Sequence, residues 1–313
     1  MDQNIKKEIN KFVALCYKPQ MDLKKYLKDF LLSNRYKVID GDGFLYAKGK
    51  IPYLVTAHMD TVHKVQCNSY VMHSYKGKTR IQSKDGIGGD DRCGIYMITK
   101  LIRDGYRPSV LFCEDEEIGS VGASKFCKTK YINDLREMKY LIELDRANEN
   151  DAVFYDCDNP AFTKFITETT GYVEAQGSFT DIVELSDACE IASVNLSCGY
   201  YKQHTVKEYV LFEEMLNTIE VVKKLLDIKD CDQYEFIPRI YYRDNRYYID
   251  ESYYRDLYGN VVVSGMEIGY LDPKTKEEVD VTIGGESEAE CMYNFFVNNP
   301  DICWNDIIDY YIY

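Results

Sequence analysis

The sequence predicts an α/β fold, with three layers (α/β/α) around a mixed central sheet and a small α+β appendage at the C-terminal end. Up to residue 228, short apolar runs of strand length alternate with helix-length stretches, which is the pattern of an α/β domain. Beyond that point the composition changes: residues 229–313 hold 13 of the 29 tyrosines, and 18 acidic against 7 basic residues. We therefore predict two units, residues 1–228 and residues 229–313.

The first elements are two helices followed by buried strands. Residues 4–17 and 21–33 are predicted to be helical, because Leu23, Leu27 and Leu31 recur in the second at the spacing of one helix face. The predicted strands are apolar runs bounded by polar or glycine-containing segments, at 36–39, 44–47, 53–57, 110–114, 140–144 and 191–197. The helix-length stretches between and after them are 93–104, 121–128, 160–170 and 212–227.

Two hairpins are predicted within the appendage. The segments 241–249 and 266–283 each contain two strand-like runs, with turns at 244–245 and 272–275. Two short helices are predicted to close the chain.

The net charge of −14 excludes some classes of partner. Nucleic acids and anionic membranes are bound by clustered Lys and Arg, so neither is expected as a partner. Residues 229–313 carry −11 of this charge, which leaves −3 for residues 1–228. The first residues are charged and lack the apolar segment of a signal peptide, and the eleven cysteines show no C-x-x-C pairing. These features predict reduced cysteines and a cytoplasmic location.

Histidine and carboxylate residues follow the predicted strands. The carboxyl ends of strands in an open α/β sheet form a common edge where ligands bind. Imidazole with carboxylate is the ligand set that suits zinc or a neighbouring divalent ion, and two metals sharing one carboxylate would use a set of this size. Each residue alone also has a structural interpretation, as a turn, a helix cap or a buried histidine. The residues concerned are His58, Asp60, Asp90, Glu116, Glu117, Asp145 and His204.

In their order and spacing, these residues resemble the motifs of the co-catalytic di-zinc exopeptidases, the M20, M28 and M42 peptidase families. The resemblance covers residues 1–228. The matching segments are HMDTV at 58–62, GGDDRCG at 88–94, EDEEIGSVGA at 114–123, the strand-end Asp145, GSFTD at 177–181 and GYYKQHTVKE at 199–208.

The resemblance implies a role for each residue. Asp90 would bridge two metal ions, with His58 and Asp145 completing one site and Glu117 and His204 the other. Glu116 would be the general base. Asp60 would accept a hydrogen bond from His58 and fix its tautomer. The implied cofactors are two Zn²⁺ ions, or other divalent cations such as Co²⁺ or Mn²⁺.

The spacing of the motifs indicates which of these families the catalytic core resembles most. The M20 enzymes insert a lid domain after the strand-end Asp, but here only 35 positions separate Asp145 from Thr180. The M42 enzymes insert one between the first and second motifs, where His58 and Asp90 are 32 positions apart. The core therefore resembles the compact M28 arrangement. An aminopeptidase is the preferred function, because an acidic rim suits a free α-amino group.

Other functions stay open from the sequence. The same motifs are compatible with a carboxypeptidase, a dipeptidase or a deacylase of N-acyl amino acids, and the substrate would be a peptide or an acyl amino acid. A non-catalytic binding protein on a peptidase fold is the alternative of another class. A homo-oligomer is compatible with the tyrosine-rich appendage. Arg92 and Lys84 are expected to form surface salt bridges, and His63 and His73 to lie outside the metal site.

Overall fold

The computed structural model describes residues 3–177, 179–243, 246–249, 266–275, 278–283, 288–302 and 307–312. The helices are α1 (Gln3–Cys16), α2 (Gln20–Ser33), α3 (Gly89–Arg103), α4 (Val121–Cys127), α5 (Ile132–Leu135), α6 (Pro160–Thr170), α7 (Asp181–Cys189), α8 (Phe212–Leu226) and α9 (Glu288–Asn298). The strands are β1 (Val38–Gly41), β2 (Phe44–Ala47), β3 (Ile51–His58), β4 (Val71–Tyr75), β5 (Lys78–Gln82), β6 (Pro108–Cys113), β7 (Tyr140–Arg146), β8 (Asp151–Val153), β9 (Val173–Ala175), β10 (Ser193–Ser197), β11 (Tyr200–Tyr201), β12 (Tyr209–Leu211), β13 (Ile240–Arg243), β14 (Arg246–Ile249), β15 (Met266–Leu271), β16 (Glu278–Ile283) and β17 (Ile307–Ile312).

An eight-stranded mixed sheet forms the centre of the molecule. Its strand order is β1-β2-β6-β3-β7-β10-β8-β9, and β6, β3, β7 and β10 run parallel to one another. These four strands are almost entirely buried, as expected for parallel strands that are covered on both faces. Their carboxyl ends therefore meet at one edge of the sheet.

Helices cover both faces of the sheet. Successive residues of β3 point to opposite faces, so Val55 packs into one hydrophobic core and Leu54 into the other. Helices α1, α2, α3, α6 and α8 contribute side chains to the first core, and α4, α5 and α7 to the second. The chain thus has the three-layer α/β/α fold with a mixed central sheet that the sequence predicts.

A second, four-stranded sheet of order β11-β12-β5-β4 lies beside the main one. The β4–β5 hairpin and helix α7 are not among the elements predicted from the sequence. The exposed side of β4–β5 is polar and only Ile81 of β5 is fully buried, so these strands lack a continuous apolar run. Helix α7 begins at Asp181, which is the last residue of the GSFTD motif at 177–181.

The C-terminal region contains both predicted hairpins, β13–β14 and β15–β16. The turn predicted at 244–245 lies outside the described residues, whereas in the turn at 272–275 the Asp272 carboxylate accepts hydrogen bonds from the backbone N–H groups of Lys274 and Thr275. The prediction of two closing helices is wrong. Helix α9 is followed by β17, whose β-branched and aromatic residues pair with the free edge of β15.

Two further observations concern the whole described chain. Ten cysteines lie in the described residues, and all of them are free thiols. Within the same residues, every helix is too short or too polar to cross a lipid bilayer.

Candidate metal centre

The parallel strands bring the predicted site residues to one edge of the sheet. His58 is the last residue of β3 and pairs with Cys113, the last residue of β6. On the other side of β3, Thr56 pairs with Glu143, so Asp145 lies level with His58. The loop that follows β6 carries Glu116 and Glu117 to the same edge.

Asp90 lies where the chain enters α3, and a buried carboxylate holds its backbone in place. The N-cap residue Gly88 has a left-handed backbone (φ 68°), and Asp90 itself has non-helical dihedral angles. The fully buried Glu208 accepts hydrogen bonds from the backbone N–H of Gly88 (2.7 Å) and of Asp90 (3.0 Å). Its third partner is His63 Nε2, at 2.7 Å. Glu208 thus fixes the direction in which Asp90 leaves the backbone.

The neighbouring Asp91 points the other way and has a structural role. Its Oδ1 accepts from the N–H of Gly94 and its Oδ2 from the N–H of His58. Gly94 is required here, because a Cβ would collide with the Leu144 carbonyl and with the Asp91 carboxylate. Asp91 therefore ties α3 to the end of β3.

Asp90 stands between the two histidines of the site and directs one carboxylate oxygen to each. The distance from its Oδ1 to His58 Nε2 is 2.9 Å, and that from its Oδ2 to His204 Nε2 is 3.2 Å. His204 Nε2 also lies 3.0 Å from Glu117 Oε2. His58 Nε2 lies 3.5 Å from Asp145 Oδ1. The five residues therefore form two groups that share Asp90.

Neighbouring side chains orient Asp145. The hydroxyl of Tyr200 donates to its Oδ1 at 3.1 Å. The hydroxyl of Thr180 lies between two carboxylates, 3.2 Å from Asp145 Oδ2 and 2.8 Å from Glu143 Oε2. The side-chain amide of Asn195 bonds both the N–H and the carbonyl of the Asp145 backbone. The side chain thus leaves β7 in one fixed direction.

Asp60 joins three parts of the site. Its Oδ1 accepts from His58 Nδ1 at 3.1 Å and from the N–H of Glu116 at 3.0 Å. Its Oδ2 accepts from the N–H of Glu117 at 3.0 Å. A single carboxylate therefore orients one histidine ring and the backbone of both glutamates.

Burial and mutual proximity shift the pKa values of the site. Burial and the neighbouring Asp145 and Glu117 raise the pKa of Glu116 well above its usual range, although His58 opposes this shift. Burial raises the pKa of Asp145 to about 6 and that of Glu117 to about 7. Burial disfavours the charged form of Asp90. Hydrogen bonds from His204 and His58 outweigh this effect, so the pKa of Asp90 is lowered.

The carboxylates of the site also raise the pKa values of the two histidines, and so favour the charged form of each ring. Burial disfavours the charged imidazolium, but Glu117 and Asp90 raise the pKa of His204 to about 11. Asp145 and Asp60 likewise raise the pKa of His58. The cluster of carboxylates therefore favours positive charge at both ring positions.

A cavity of about 150 Å³ opens onto these residues. Its lining includes five of the predicted site residues, which are Asp90, Glu116, Glu117, Asp145 and His204. The remaining lining residues are Arg146, Ala147, Tyr155, Gly177, Phe179, Tyr200 and Gln203. Arg146 is the one Lys or Arg among the described residues that line this cavity, and its Nε and Nη2 both contact Asp151 at 3.2 Å.

The structure also corrects the expectation for Arg92, which was predicted to form a surface salt bridge. Arg92 is buried and donates to the backbone carbonyls of Asp60 and Lys18. Its neighbours in sequence on α3 are buried as well, because this turn packs under the site rather than facing solvent. Lys84 is exposed and lies 3.5 Å from Asp85. His63 contacts Glu208, and His73 lies on β4.

Three residues that support the site, Asp91, Asn195 and Tyr200, were not predicted from the sequence. Glu208 is the last residue of the motif at 199–208, but its contact with the Asp90 backbone was not predicted. Their polar types and their positions beside the motifs could have marked them as candidates. Asp91 bonds backbone N–H groups, and the partners of Asn195, Tyr200 and Glu208 lie 40 to 145 positions away, which spacing along the chain does not reveal.

The chain was compared with protein-family models, curated proteins and solved structures, and the matches are to solved structures. No protein-family model and no curated protein matches the chain. Among solved structures, aminopeptidase PepT from Bacillus cereus superposes with a TM-score of 0.57 at 15% identity, over 71% of this chain and 98% of that one. A tripeptidase from Staphylococcus aureus gives 0.56 at 12% identity, over 71% and 97%.

A third solved structure is similar in fold over the same share of this chain. The TET1 peptidase from Pyrococcus horikoshii gives a TM-score of 0.51 at 12% identity, over 71% of this chain and 99% of that one. At such identities the likeness concerns the fold. The chain therefore has the fold of these peptidases, which is the fold that the resemblance of its motifs implies.

Proposed function

We propose that this protein is a metal-dependent peptidase, and specifically an aminopeptidase that uses two zinc ions. The observation that carries the proposal is the position of Asp90, whose two carboxylate oxygens face two different histidines at 2.9 and 3.2 Å. A carboxylate shared between two imidazole-containing groups is the arrangement that a bridged pair of metal ions requires.

The donor atoms fit this cofactor. Two ligands of a tetrahedral zinc ion, each about 2.1 Å from the metal, lie about 3.4 Å apart. The separations around Asp90, from 2.9 to 3.5 Å, are close to this value. His58, Asp90 and Asp145 would hold one ion, and Asp90, Glu117 and His204 the other. Co²⁺ or Mn²⁺ would accept the same nitrogen and oxygen donors.

Bound cations would polarise the scissile carbonyl and acidify a water molecule, which is the chemistry that these residues cannot supply themselves. Glu116 is proposed as the general base. Its Oε2 lies 3.9 Å from His58 Nε2, so the carboxylate is beside the proposed ligands. The raised pKa of Glu116 suits a group that accepts a proton from water and passes it to the leaving amine. Asp60 keeps the His58 ring and the Glu116 backbone in position.

An aminopeptidase is the preferred specificity. Two of the similar structures are named as an aminopeptidase and a tripeptidase. The second candidate is a carboxypeptidase, dipeptidase or deacylase, and it is favoured by Arg146, which lines the cavity and could pair with a substrate carboxylate.

Peptide substrates blocked at one end distinguish these functions. We expect the zinc-loaded protein to release the N-terminal residue from a peptide amidated at its C-terminus, and to leave the N-acetylated peptide intact. Cleavage of the N-acetylated peptide alone would instead favour the carboxypeptidase or deacylase. A protein that binds fewer than one metal equivalent and cleaves neither peptide would favour a non-catalytic binding protein.

Organisation and location are further parts of the proposal. Residues 231–239 hydrogen-bond to the main fold at Lys139, Asp156 and Glu190, whereas β15 and α9 share a separate hydrophobic core. We therefore propose a catalytic unit that includes this segment, and an appendage that follows it. A homo-oligomer is proposed because a TET1 peptidase of similar fold assembles into a tetrahedron or an octahedral shell. The free thiols of the described residues suit the cytoplasm.

A further inference from the structure

A basic pocket of about 290 Å³ lies at the opposite edge of the sheet from the metal centre. It is lined by the turn after α2, by the turn between β2 and β3 and by the residue before β6. Among the described residues that line it there are four cations, Arg35, Lys48, Lys50 and Arg107, and no acidic residue. We propose that this pocket binds a small phosphorylated molecule carrying at least two adjacent phosphate groups.

Three of the four cations have hydrogen-bond donors to spare. Arg35 and Lys50 are exposed and form no ion pair with any described residue. Among the described residues, Arg107 donates from Nη1 alone, to the carbonyls of Ile102 and Tyr106, so its Nε and Nη2 remain for a ligand. Lys48 is already engaged by Asp134 at 2.8 Å and by Glu137 at 3.1 Å.

Arg107 is also preorganised. The two backbone carbonyls hold one side of its guanidinium group, and the ring of Tyr36 lies 5.9 Å from it. The Tyr36 ring is fixed in turn by its hydroxyl, which donates to the carbonyl of Pro108. A guanidinium held in this way loses little side-chain freedom when it binds a phosphate, and its planar fork matches two phosphate oxygens.

The backbone at Arg35 indicates that the side chain itself matters. Arg35 follows the end of α2 with φ 65°, a left-handed conformation that glycine adopts most readily. The N–H of Arg35 bonds the carbonyl of Leu32, and the N–H of Tyr36 bonds that of Leu31. These backbone bonds already cap the helix, so the fold does not need an arginine side chain at this position. The left-handed backbone is thus accounted for by the helix cap, which glycine would form at least as well, so the cap does not explain a charged side chain here.

The negative net charge of the protein makes the cluster of cations around this pocket significant. The chain carries a net charge of −14, so its overall field repels anions and a bound phosphate needs several cations close together. Three cations from three separate turns surround one concave space, which favours a ligand with more than one phosphate group over a single inorganic phosphate. The site is distinct from the metal centre, because β3 separates them by about 23 Å at 3.3 Å per residue.

Calorimetric titration of the full-length, zinc-loaded protein at low ionic strength tests the proposal. The probes are pyrophosphate and ADP, each supplied as its magnesium complex, with inorganic phosphate and sulfate for comparison. We expect the two diphosphates to bind saturably and more tightly than the single anions. Arg35→Gly and Lys50→Ala should each weaken diphosphate binding at least about tenfold. Lys7→Ala, which removes an exposed cation from α1, should leave it unchanged.

The same variants separate binding from structure. Arg35→Gly should keep or raise the unfolding temperature while it weakens binding, because glycine relieves the strain at this position. The proposal would be overturned if the wild type bound neither diphosphate, or if Arg35→Gly and Lys50→Ala gave wild-type isotherms, which would place any binding at the metal centre or elsewhere. A lowered unfolding temperature for Arg35→Gly together with unchanged binding would show that Arg35 is structural.

Discussion

Replacing Asp60 with asparagine tests how the site is held together. The Asp60 carboxylate accepts three hydrogen bonds, at 3.1 Å from His58 and at 3.0 Å from each of the N–H groups of Glu116 and Glu117. Asparagine offers one oxygen instead of two, and its amide NH₂ group must face a donor. Either the N–H of Glu117 is left without an acceptor, or the His58 and Glu116 donors are.

The size of the effect follows from these contacts. A hydrogen bond to a charged group contributes about 1.5–3 kcal/mol, and leaving a buried donor unpaired costs about 1–3 kcal/mol. Loss of the charge and of one acceptor should therefore lower the free energy of unfolding by on the order of 3 kcal/mol. Because His58 and Glu117 are both proposed ligands, we also expect zinc affinity to fall by about 10- to 100-fold, as for other residues that orient metal ligands.

Two measurements on Asp60→Asn check this reasoning. Guanidinium denaturation of the metal-free protein gives the free energy of unfolding, and competition with a chromogenic chelator gives zinc affinity. Asp42→Asn is the matched control, because the Asp42 side chain is 87% exposed and, within the described part of the chain, pairs with Lys125 alone. Wild-type zinc affinity and wild-type stability in Asp60→Asn would refute the role assigned to Asp60.

Three further outcomes follow from the same contacts. Removal of metal by a chelator should lower the unfolding temperature, and zinc should restore it, because bound cations offset the buried carboxylates of the site; a scanning calorimetry trace unaffected by the chelator would contradict this. Asp181 is buried, and burial raises its pKa to about 7 despite the opposing effect of His58. In the unfolded chain Asp181 ionises near pH 4, but in the folded protein it stays protonated up to about pH 7. The metal-free wild type should therefore lose stability relative to Asp181→Asn as the pH rises from about 4 to 7. Parallel curves of unfolding free energy against pH for the two proteins would contradict this prediction. Glu208→Gln replaces one of the two acceptor oxygens with an NH₂ group, so either the N–H of Asp90, or the N–H of Gly88 together with His63 Nε2, loses its acceptor. The free energy of unfolding should therefore fall by about 2–3 kcal/mol, and a denaturation midpoint like that of the wild type would contradict the contacts.

The fold was predictable because apolar runs and helix periods are local properties of the chain. Strand β2 has the predicted bounds, and helices α6 and α8 end within one residue of them. The β4–β5 hairpin was not predictable in this way, because its residues lie on a partly exposed sheet and alternate weakly. Strand β17 was missed because its pairing partner, β15, lies some 40 residues away.

The site residues were gathered from sequence because each follows a strand, and parallel strands end at one edge. His58 and Asp145 illustrate this, since the register of β3 and β7 sets them level. What the sequence could not reveal is the set of contacts that fix their directions. Glu208 acts on Asp90 from 118 residues away, and Arg92 is held by two backbone carbonyls rather than by an acidic partner.

Substitution of Glu116 by glutamine tests the central claim most directly, when metal content and peptide hydrolysis are measured on the same sample. Glutamine keeps the size of the side chain but cannot take a proton from water. We predict two equivalents of zinc in both proteins, and a kcat for release of the N-terminal residue that falls about 10²- to 10⁴-fold in Glu116→Gln. Glu114→Gln, a change to a nearby carboxylate that pairs with Lys24, should retain activity. Hydrolysis by Glu116→Gln at the wild-type rate would contradict the proposed mechanism.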